Sequence, residues 1–147
     1  MFMTPGNDIL TGRQVLIVGF GRQGQALARW LPMIGAQCIV TDMRDPQSLG
    51  VDLQDFPRVR FVLGDHPLRL LDNIDMVCIS GGVPLDSPLV LEAIKRNITV
   101  TNDAQLFVER VAAPVIGITG SAGKTTTTTL VGSILKRAGM TTWIGGN

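Results

Sequence analysis

The sequence predicts an α/β fold, a Rossmann-like parallel sheet with flanking helices, followed by the first strand–helix–strand (βαβ) piece of a P-loop domain. Two observations predict this. Short aliphatic runs alternate with segments of helical spacing along most of the 147 residues. Two of these runs, at 14–19 and 115–119, lead directly into a glycine-rich turn and a helix start. That order of elements is typical of nucleotide-binding domains.

The first half of the chain supplies three predicted strands and one helix. Residues 14–19 form a nearly unbroken aliphatic run, as expected for a strand buried on both faces. A helix over 25–31 follows, and Gly35 is a good stop for its extension. The second strand spans 37–41 and ends at Asp42, and a short third strand spans 60–63.

The next segment supplies two further strands and two helices. The fourth strand covers 75–80, and Ser87-Pro88 predicts the start of a helix that reaches residue 95 or 96. A turn and a fifth strand lie within 97–101, and Asp103 is predicted to cap a helix that ends near residue 110. Residues 112–114 form a short linker.

Composition excludes several functional classes. The 13 basic and 12 acidic residues give a net charge of +1, which offers no electrostatic basis for binding nucleic acid or acidic membranes. No apolar run approaches 18 residues and no signal peptide is recognisable, so we expect a cytoplasmic protein. Cys38 and Cys78 fall in strand-like runs and are expected to be buried, reduced thiols. His66 is expected to be an ordinary loop residue.

The first glycine turn matches the dinucleotide fingerprint. Gly19, Gly21 and Gly24 have the G-x-G-x-x-G spacing between a strand and a helix, and Asp42 follows Gly24 by 18 residues. In such sites the acid contacts a ribose hydroxyl. Because Asp42 ends a strand, we expect it to contribute little to the core. The alternative is that the glycines only permit tight packing of the helix on the strand.

The second glycine turn resembles a phosphate-binding P-loop. It comprises Gly120, Ser121, Ala122, Gly123, Lys124, Thr125 and Thr126, and the helix after it is predicted from residue 127 to about 138. Lys124 would neutralise phosphate charge and the Thr125 hydroxyl would bind Mg²⁺. Only the G-x-x-G-K-T half of the motif is literal, because Ile118 occupies the position of its first glycine. An ordinary strand-to-helix turn is the alternative.

Together, G-F-G-R-Q-G at 19–24 and I-G-I-T-G-S-A-G-K-T-T at 116–126 resemble the Mur ligases of peptidoglycan synthesis. The branch that adds D-glutamate is the most similar. Further resemblance lies at 41–44, 80–84 and 103–107, and at 145–147, where G-G-N matches the start of a family loop. Two departures are Gly81, where the family usually has proline, and Gln105, where it usually has glutamate.

The resemblance implies that residues 1–112 bind the UDP moiety of UDP-N-acetylmuramoyl-L-alanine, rather than NAD. The residues that it implies for this site lie in the loops after the first, second and fourth strands and at the end of the chain. They are Gly21, Arg22, Gln23, Asp42, Met43, Arg44, Ser80, Gly81, Gly82 and Asn147.

The resemblance also implies that residues 113–147 begin a central ATP-binding domain. In this family ATP phosphorylates the substrate carboxylate and the amine of D-glutamate attacks the acyl-phosphate. Lys124 and Thr125 would take the catalytic roles, with Thr125 on Mg²⁺. Only 21 residues follow Thr126, so we expect the chain to be an inactive fragment of a longer enzyme. An NAD(P)-binding oxidoreductase domain and a non-catalytic nucleotide-sensing module are the alternatives.

Overall fold

Five parallel strands form one sheet in a computed structural model that describes residues 8–145. The strands are β1 (Gln14–Val18), β2 (Gln37–Asp42), β3 (Val59–Leu63), β4 (Met76–Ile79) and β5 (Thr99–Thr101). Their order across the sheet is β3-β2-β1-β4-β5, and every neighbouring pair is parallel. The predicted Rossmann-like parallel sheet is therefore confirmed. Because β1 is central, the chain runs outward to one side of it and then returns to build the other.

The strand register places three loops at one edge of the sheet. Val18 at the end of β1 lies opposite Thr41 of β2 on one side and Ile79 of β4 on the other. The three strands consequently end at nearly the same level. The loops that follow them begin side by side, at the point where the strand order reverses.

Residues 8–145 contain four α-helices, three in the unit of the sheet and one in the unit after it. They are α1 (Arg22–Trp30), α2 (Pro88–Lys95), α3 (Asp103–Val108) and α4 (Lys124–Arg137). The connections from β2 to β3 and from β3 to β4 carry only short 3-10 helices, at Leu53–Asp55 and Leu68–Leu71. None of the helices in residues 8–145 is long and apolar enough to cross a membrane.

Both faces of the sheet are buried, which explains the aliphatic run of β1. Val15 and Ile17 pack on the face that also contains Leu27 of α1 and Leu106 of α3. Alternate residues Leu16 and Val18 pack on the opposite face, together with residues of α2 and of the 3-10 helix at Leu68–Leu71. Side chains alternate across a strand, so a strand covered on both sides needs apolar residues at every position.

The two cysteines lie on the α1 face of the sheet. Cys38 in β2 and Cys78 in β4 are buried free thiols, as the sequence predicted. Burial raises the pKa of each thiol to about 12, because a thiolate would lose its hydration there. Both thiols are therefore protonated, and so unreactive as nucleophiles, at neutral pH.

An ion pair joins Asp8 to Arg110, which lies just after α3. Arg110 donates to both carboxylate oxygens of Asp8, through Nε at 2.8 Å and NH2 at 3.2 Å. This hydrogen bonding holds the pKa of Asp8 below its usual range. The Arg110 guanidinium also lies over the Trp30 ring, 5.5 Å from its centroid. Arg110 thus joins the start of the sheet unit, α1 and α3.

The structure corrects the predicted start of α3. Asn102, rather than Asp103, is the N-cap, because its backbone is extended and its side-chain oxygen accepts from the Gln105 amide at 2.9 Å. Asp103 is the first helical residue, and its carboxylate is therefore free for other partners. The helix ends at Val108, two residues before the predicted end.

Residues from Val111 onward form a second compact unit, separate from the unit that ends at Arg110. Its only regular element in the described residues is α4, which begins at Lys124 rather than at residue 127. The two strands of the predicted βαβ piece, the run at 115–119 and the segment after the helix, do not form within residues 111–145. A strand needs a hydrogen-bonded neighbour, and neither segment pairs with one there.

Candidate functional site

Three loops meet at the carboxyl edge of the sheet. They follow β1 at residues 19–21, β2 at 43–44 and β4 at 80–82, and they adjoin the first turn of α1 and Asp42, the last residue of β2. Ligands of open α/β sheets bind outside the carboxyl ends of the strands, at the point where the strand order reverses. The structure thus brings together all the substrate-binding positions predicted from sequence except Asn147, which lies outside the described residues.

The glycine turn after β1 depends on two of its three glycines for its shape. Gly19 has a φ of +87°, a conformation that side chains disfavour. A Cβ on Gly24 would overlap the carbonyl oxygen of Gly19, so only glycine lets α1 approach the end of β1 this closely. Gly21 has open space around it, which leaves its backbone accessible to a ligand. This matches the separate roles of the glycines in the dinucleotide fingerprint.

The start of α1 is suited to bind an anion. Gly21 is its N-cap and provides no side-chain cap, and no acidic residue occupies the first turn. The first amides of a helix have no partner within the helix, and the helix dipole places partial positive charge there. Arg22 lies exposed in the same turn and adds a full charge. A phosphate group at this position would find both donors and charge.

Asp42 is buried and engaged, contrary to the expectation that it lies outside the core. Its side chain is only 8% exposed. One oxygen, Oδ2, accepts from the Phe20 amide at 2.6 Å and from Arg44 NH2 at 2.8 Å. The other, Oδ1, accepts from the Arg44 amide and from Arg44 Nε, both at 2.9 Å. The carboxylate therefore ties the glycine turn to the end of β2.

The same bonds control the charge of Asp42. The guanidinium of Arg44 and the amides of Arg44 and Phe20 hold the pKa of Asp42 well below its usual range. A carboxylate offers about four acceptor sites. All four are used here, so a ribose hydroxyl could bond Asp42 only by displacing one of these donors.

The loop after β4 is joined to the glycine turn by two side chains. Ser80 is buried, and its hydroxyl donates to the Gly19 carbonyl at 2.9 Å. The Gly81 amide donates to Gln23 Oε1, also at 2.9 Å. Gly82 has open space around it. The loops after β1 and β4 are thus held in a fixed relation, with Gly21 and Gly82 open to solvent.

The second glycine turn lies in the other unit. Gly123 has a φ of +78° and immediately precedes α4. The Lys124 ammonium donates to the Gly120 carbonyl and so folds back over the turn. Thr128 and Thr129 each donate to the carbonyl four residues earlier, whereas the Thr125 hydroxyl makes no hydrogen bond to another described residue. Thr125 is therefore available for a ligand, as the P-loop interpretation requires.

A family model for the Mur ligase MurD-like N-terminal domain matches residues 13–102. The chain belongs to this family. The matched region contains all five strands and the three loops at the carboxyl edge of the sheet.

Individual relatives agree with this assignment. The chain is 39% identical to UDP-N-acetylmuramoylalanine–D-glutamate ligase of Pelotomaculum thermopropionicum, over 93% of this chain and 30% of the relative. It is also 39% identical to the ligase of the same name from Clostridioides difficile, over 94% of this chain and 31% of the relative. The chain thus spans less than a third of the length of these curated relatives.

Solved structures share the fold. A pseudomurein peptide ligase type C from Methanothermus fervidus matches with a TM-score of 0.54 and 29% identity, over 87% of this chain and 27% of that one. UDP-N-acetylmuramate–alanine ligase from Thermotoga maritima matches with a TM-score of 0.56 and 22% identity, over 85% of this chain and 29% of that one. The second likeness supports the fold alone.

Three residues of the carboxyl edge were not singled out as binding residues from sequence. Asp103 accepts two hydrogen bonds from Gln23, which is 80 positions earlier. Thr41 donates to the Asp65 carbonyl at 2.9 Å and lies 2.8 Å from His66 Nδ1. Since the Thr41 hydroxyl has one proton, Nδ1 of His66 is the donor in that contact. His66 is a loop residue, as expected, but its ring is fixed beside the end of β2.

Proposed function

We propose that this chain provides the nucleotide-substrate-binding part, and the beginning of the ATP-binding part, of a cytoplasmic peptidoglycan ligase. The full enzyme would join D-glutamate to UDP-N-acetylmuramoyl-L-alanine. The names of the relatives support this assignment, and so does membership of the MurD-like family.

The observation that carries the proposal is the glycine turn at residues 19–24. It is open to solvent, suited to bind an anion, and lies beside the loop after β4. The uncapped start of α1 and the accessible backbone of Gly21 offer donors for a diphosphate. Arg22 adds positive charge at the same end of the helix. Ser80, Gly81 and Gly82 form the opposite rim, and Ser80 also maintains the distance between the two loops.

The loop after β2 would frame the uridine. Met43 is 61% exposed beside Asp42 and offers an apolar surface to a base. Arg44 has 45% of its side chain exposed, and it is the one partner of Asp42 that could turn towards a ligand. The occupied acceptors of Asp42 also argue against the oxidoreductase alternative, in which that carboxylate binds a ribose hydroxyl.

Residues of the second unit fit an ATP site. Gly120, Ser121, Ala122 and Gly123 would surround the phosphates, and Lys124 would exchange its contact with Gly120 for a phosphate oxygen. The Thr125 hydroxyl would bind Mg²⁺, which would offset phosphate charge. Within residues 8–145 no cluster of three acidic, histidine or cysteine side chains could hold a metal by itself. Thr126 would complete the loop around the phosphates.

Thermal unfolding with added ligands tests the choice of nucleotide. A ligand that binds only the folded state raises the Tm, by an amount that increases with affinity. We expect UDP-N-acetylmuramoyl-L-alanine to raise the Tm more than NAD⁺ or NADP⁺ at the same concentration. A rise with NAD⁺ or NADP⁺ and none with the UDP compound would favour an oxidoreductase domain.

Phosphate release tests the part assigned to the second unit. Phosphoryl transfer needs the metal and the acceptor held in line, in addition to a phosphate loop. We therefore expect negligible release of phosphate from Mg²⁺-ATP by this chain, with or without the muramoyl substrate and D-glutamate. Turnover that is lost in Lys124→Ala would instead identify a self-sufficient nucleotide hydrolase.

A further inference from the structure

Gln23 bridges three segments that are distant in the sequence. Its Oε1 accepts from the Gly81 amide at 2.9 Å, and its Nε2 lies 3.1 Å from each carboxylate oxygen of Asp103. One side chain therefore links the first turn of α1, the loop after β4 and the start of α3. Gln23 belongs to the glycine turn itself, so the bridge lies at the edge of the candidate site.

The chemistry of the two partners fixes the orientation of the Gln23 amide. An ionised carboxylate only accepts hydrogen bonds, and a peptide N–H only donates them. The NH₂ group must then face Asp103, and the carbonyl oxygen must face Gly81. Asp103 is free for this role because Asn102 caps α3 in its place. If Asp103 were removed, the amide could rotate and turn its NH₂ towards the Gly81 N–H.

The bridge changes the role expected for two candidate ligand residues. The Gly81 N–H is already paired, and both ends of the Gln23 amide are used. A Cβ on Gly81 would lie 3.0 Å from Gln23 Oε1, so the loop packs tightly against this side chain. Neither group can bind a phosphate without breaking the bridge.

We propose that Gln23, oriented by Asp103, is a positioning residue that sets the spacing between the glycine turn and the 80–82 loop around the diphosphate of the ligand. This inference rests on the proposed nucleotide site. It assigns Gln23 an indirect role in ligand binding. It also adds Asp103 as a determinant of binding, which acts through its hydrogen bonds to Gln23.

The decisive variant is Asp103→Ala, which leaves the Gln23 side chain in place but removes what orients it. We expect the Kd for UDP, measured by calorimetry at a temperature where the variant is fully folded, to rise about tenfold. Asp103→Asn keeps an acceptor for Nε2 and should stay within about threefold of the parent chain. Asp86→Ala is the matched control, because it removes an equal charge from an exposed position in the same unit.

Hydrogen exchange of the Gly81 amide gives a second measurement that needs no ligand. Exchange should be faster in Asp103→Ala. It should also be faster in Gln23→Glu, where two carboxylates would face each other. The double variant Gln23→Glu/Asp103→Asn restores one acceptor and one donor, so it should recover protection of Gly81 while Gln23→Glu alone does not.

The two measurements separate the possible failures. Faster Gly81 exchange together with weaker UDP binding in Asp103→Ala supports the proposal. Unchanged UDP binding in that variant would overturn it, and so would unchanged Gly81 exchange. Absence of UDP binding by the parent chain would instead refute the proposed nucleotide site, whatever the exchange of Gly81.

Discussion

The chain contains two glycine turns that look alike in sequence but differ in structure. The first, at residues 19–24, follows a strand with hydrogen-bonded neighbours on both sides, and side chains from Asp42, Ser80 and Gln23 hold it. The second, at 120–126, precedes a well-formed helix but follows an unpaired segment. Its lysine contacts the turn itself.

A local pattern specifies a turn and a helix start, whereas a strand requires hydrogen-bonded neighbours. In the sheet unit the partners lie within residues 8–110. In the second unit the aliphatic run at 115–118 has no neighbour to pair with among the described residues, and Val115 and Ile116 are exposed. The two regions should therefore respond differently to proteolysis and to mutation.

Limited proteolysis should give the largest contrast between the two units. Residues 112–123 are almost all exposed and have no regular secondary structure, so a broad-specificity protease can reach them without unfolding. Cleavage within 8–110 requires opening of the sheet. We expect cleavage at 112–123 to be on the order of a thousandfold faster, as mass spectrometry of the fragments over time would show. Similar cleavage rates at 112–123 and within 8–110 would refute this difference between the two units.

Gly24→Ala should cause the largest loss of stability among single substitutions in the glycine turns. The new methyl group would overlap the Gly19 carbonyl oxygen, which is backbone and cannot move aside without separating α1 from β1. We expect the free energy of unfolding to fall by about 3 kcal/mol or more. Urea titration followed by fluorescence of the half-buried Trp30 measures it, because Trp143, in the other unit, is 93% exposed and changes little.

Gly21→Ala and Gly123→Ala are the matched controls. Gly21 has a negative φ and open space, so its substitution should leave the urea midpoint nearly unchanged. Gly123 has a positive φ in the second unit, so alanine should cost about 1–2 kcal/mol in local helix stability without affecting the transition of the sheet unit. A Gly24→Ala variant as stable as Gly21→Ala would contradict the packing argument.

Asp42→Asn should have the next largest effect. It removes a buried charge that accepts four hydrogen bonds and joins the glycine turn to β2. Because hydrogen bonds to charged groups contribute more than neutral ones, we expect a loss of about 2–3 kcal/mol at pH 7. Asp55→Asn, which changes an exposed carboxylate, should cost almost nothing.

The effect of Asp42→Asn should depend on pH with a definite sign. The folded-state pKa of Asp42 is lowered, so its contribution is complete above the unfolded value near pH 4 and is lost as the pH falls towards the folded value. The difference in the free energy of unfolding between the parent chain and Asp42→Asn should therefore shrink below about pH 4, by up to about 1.4 kcal/mol per pH unit. A difference that is constant from pH 7 to pH 3 would show that the charge is unimportant.

The sequence predicted what depends on local pattern and missed what depends on long-range partners. The run at 14–19 predicted β1 because both faces are buried, and the close approach at Gly24 corresponds to the tight packing that was the alternative interpretation of the glycine spacing. The position of Asp42 was predicted, but its burial was missed because its partner Phe20 is 22 residues away. The Gln23–Asp103 contact spans 80 residues and has no local signal. The prediction of a strand at 115–119 is wrong for the described residues, because an aliphatic pattern carries no information about a neighbouring strand.

The smallest expected effect has the opposite sign and lies at the end of β5. Thr101 is only 4% exposed, and its hydroxyl has no hydrogen-bond partner among the described residues. A buried, unpaired hydroxyl lowers stability, and valine has nearly the same shape without it. Thr101→Val should therefore raise the free energy of unfolding by about 1 kcal/mol in urea titration.

The matched control is Thr41→Val at the end of β2, where the buried hydroxyl bonds both the Asp65 carbonyl and His66. That substitution should lower stability by about 1 kcal/mol, because it removes the hydrogen-bond partner of the Asp65 carbonyl and of the half-buried His66 ring. If both variants changed stability in the same direction, hydrogen bonding would not be what distinguishes the two threonines, and the packing of the added methyl group would have to account for both.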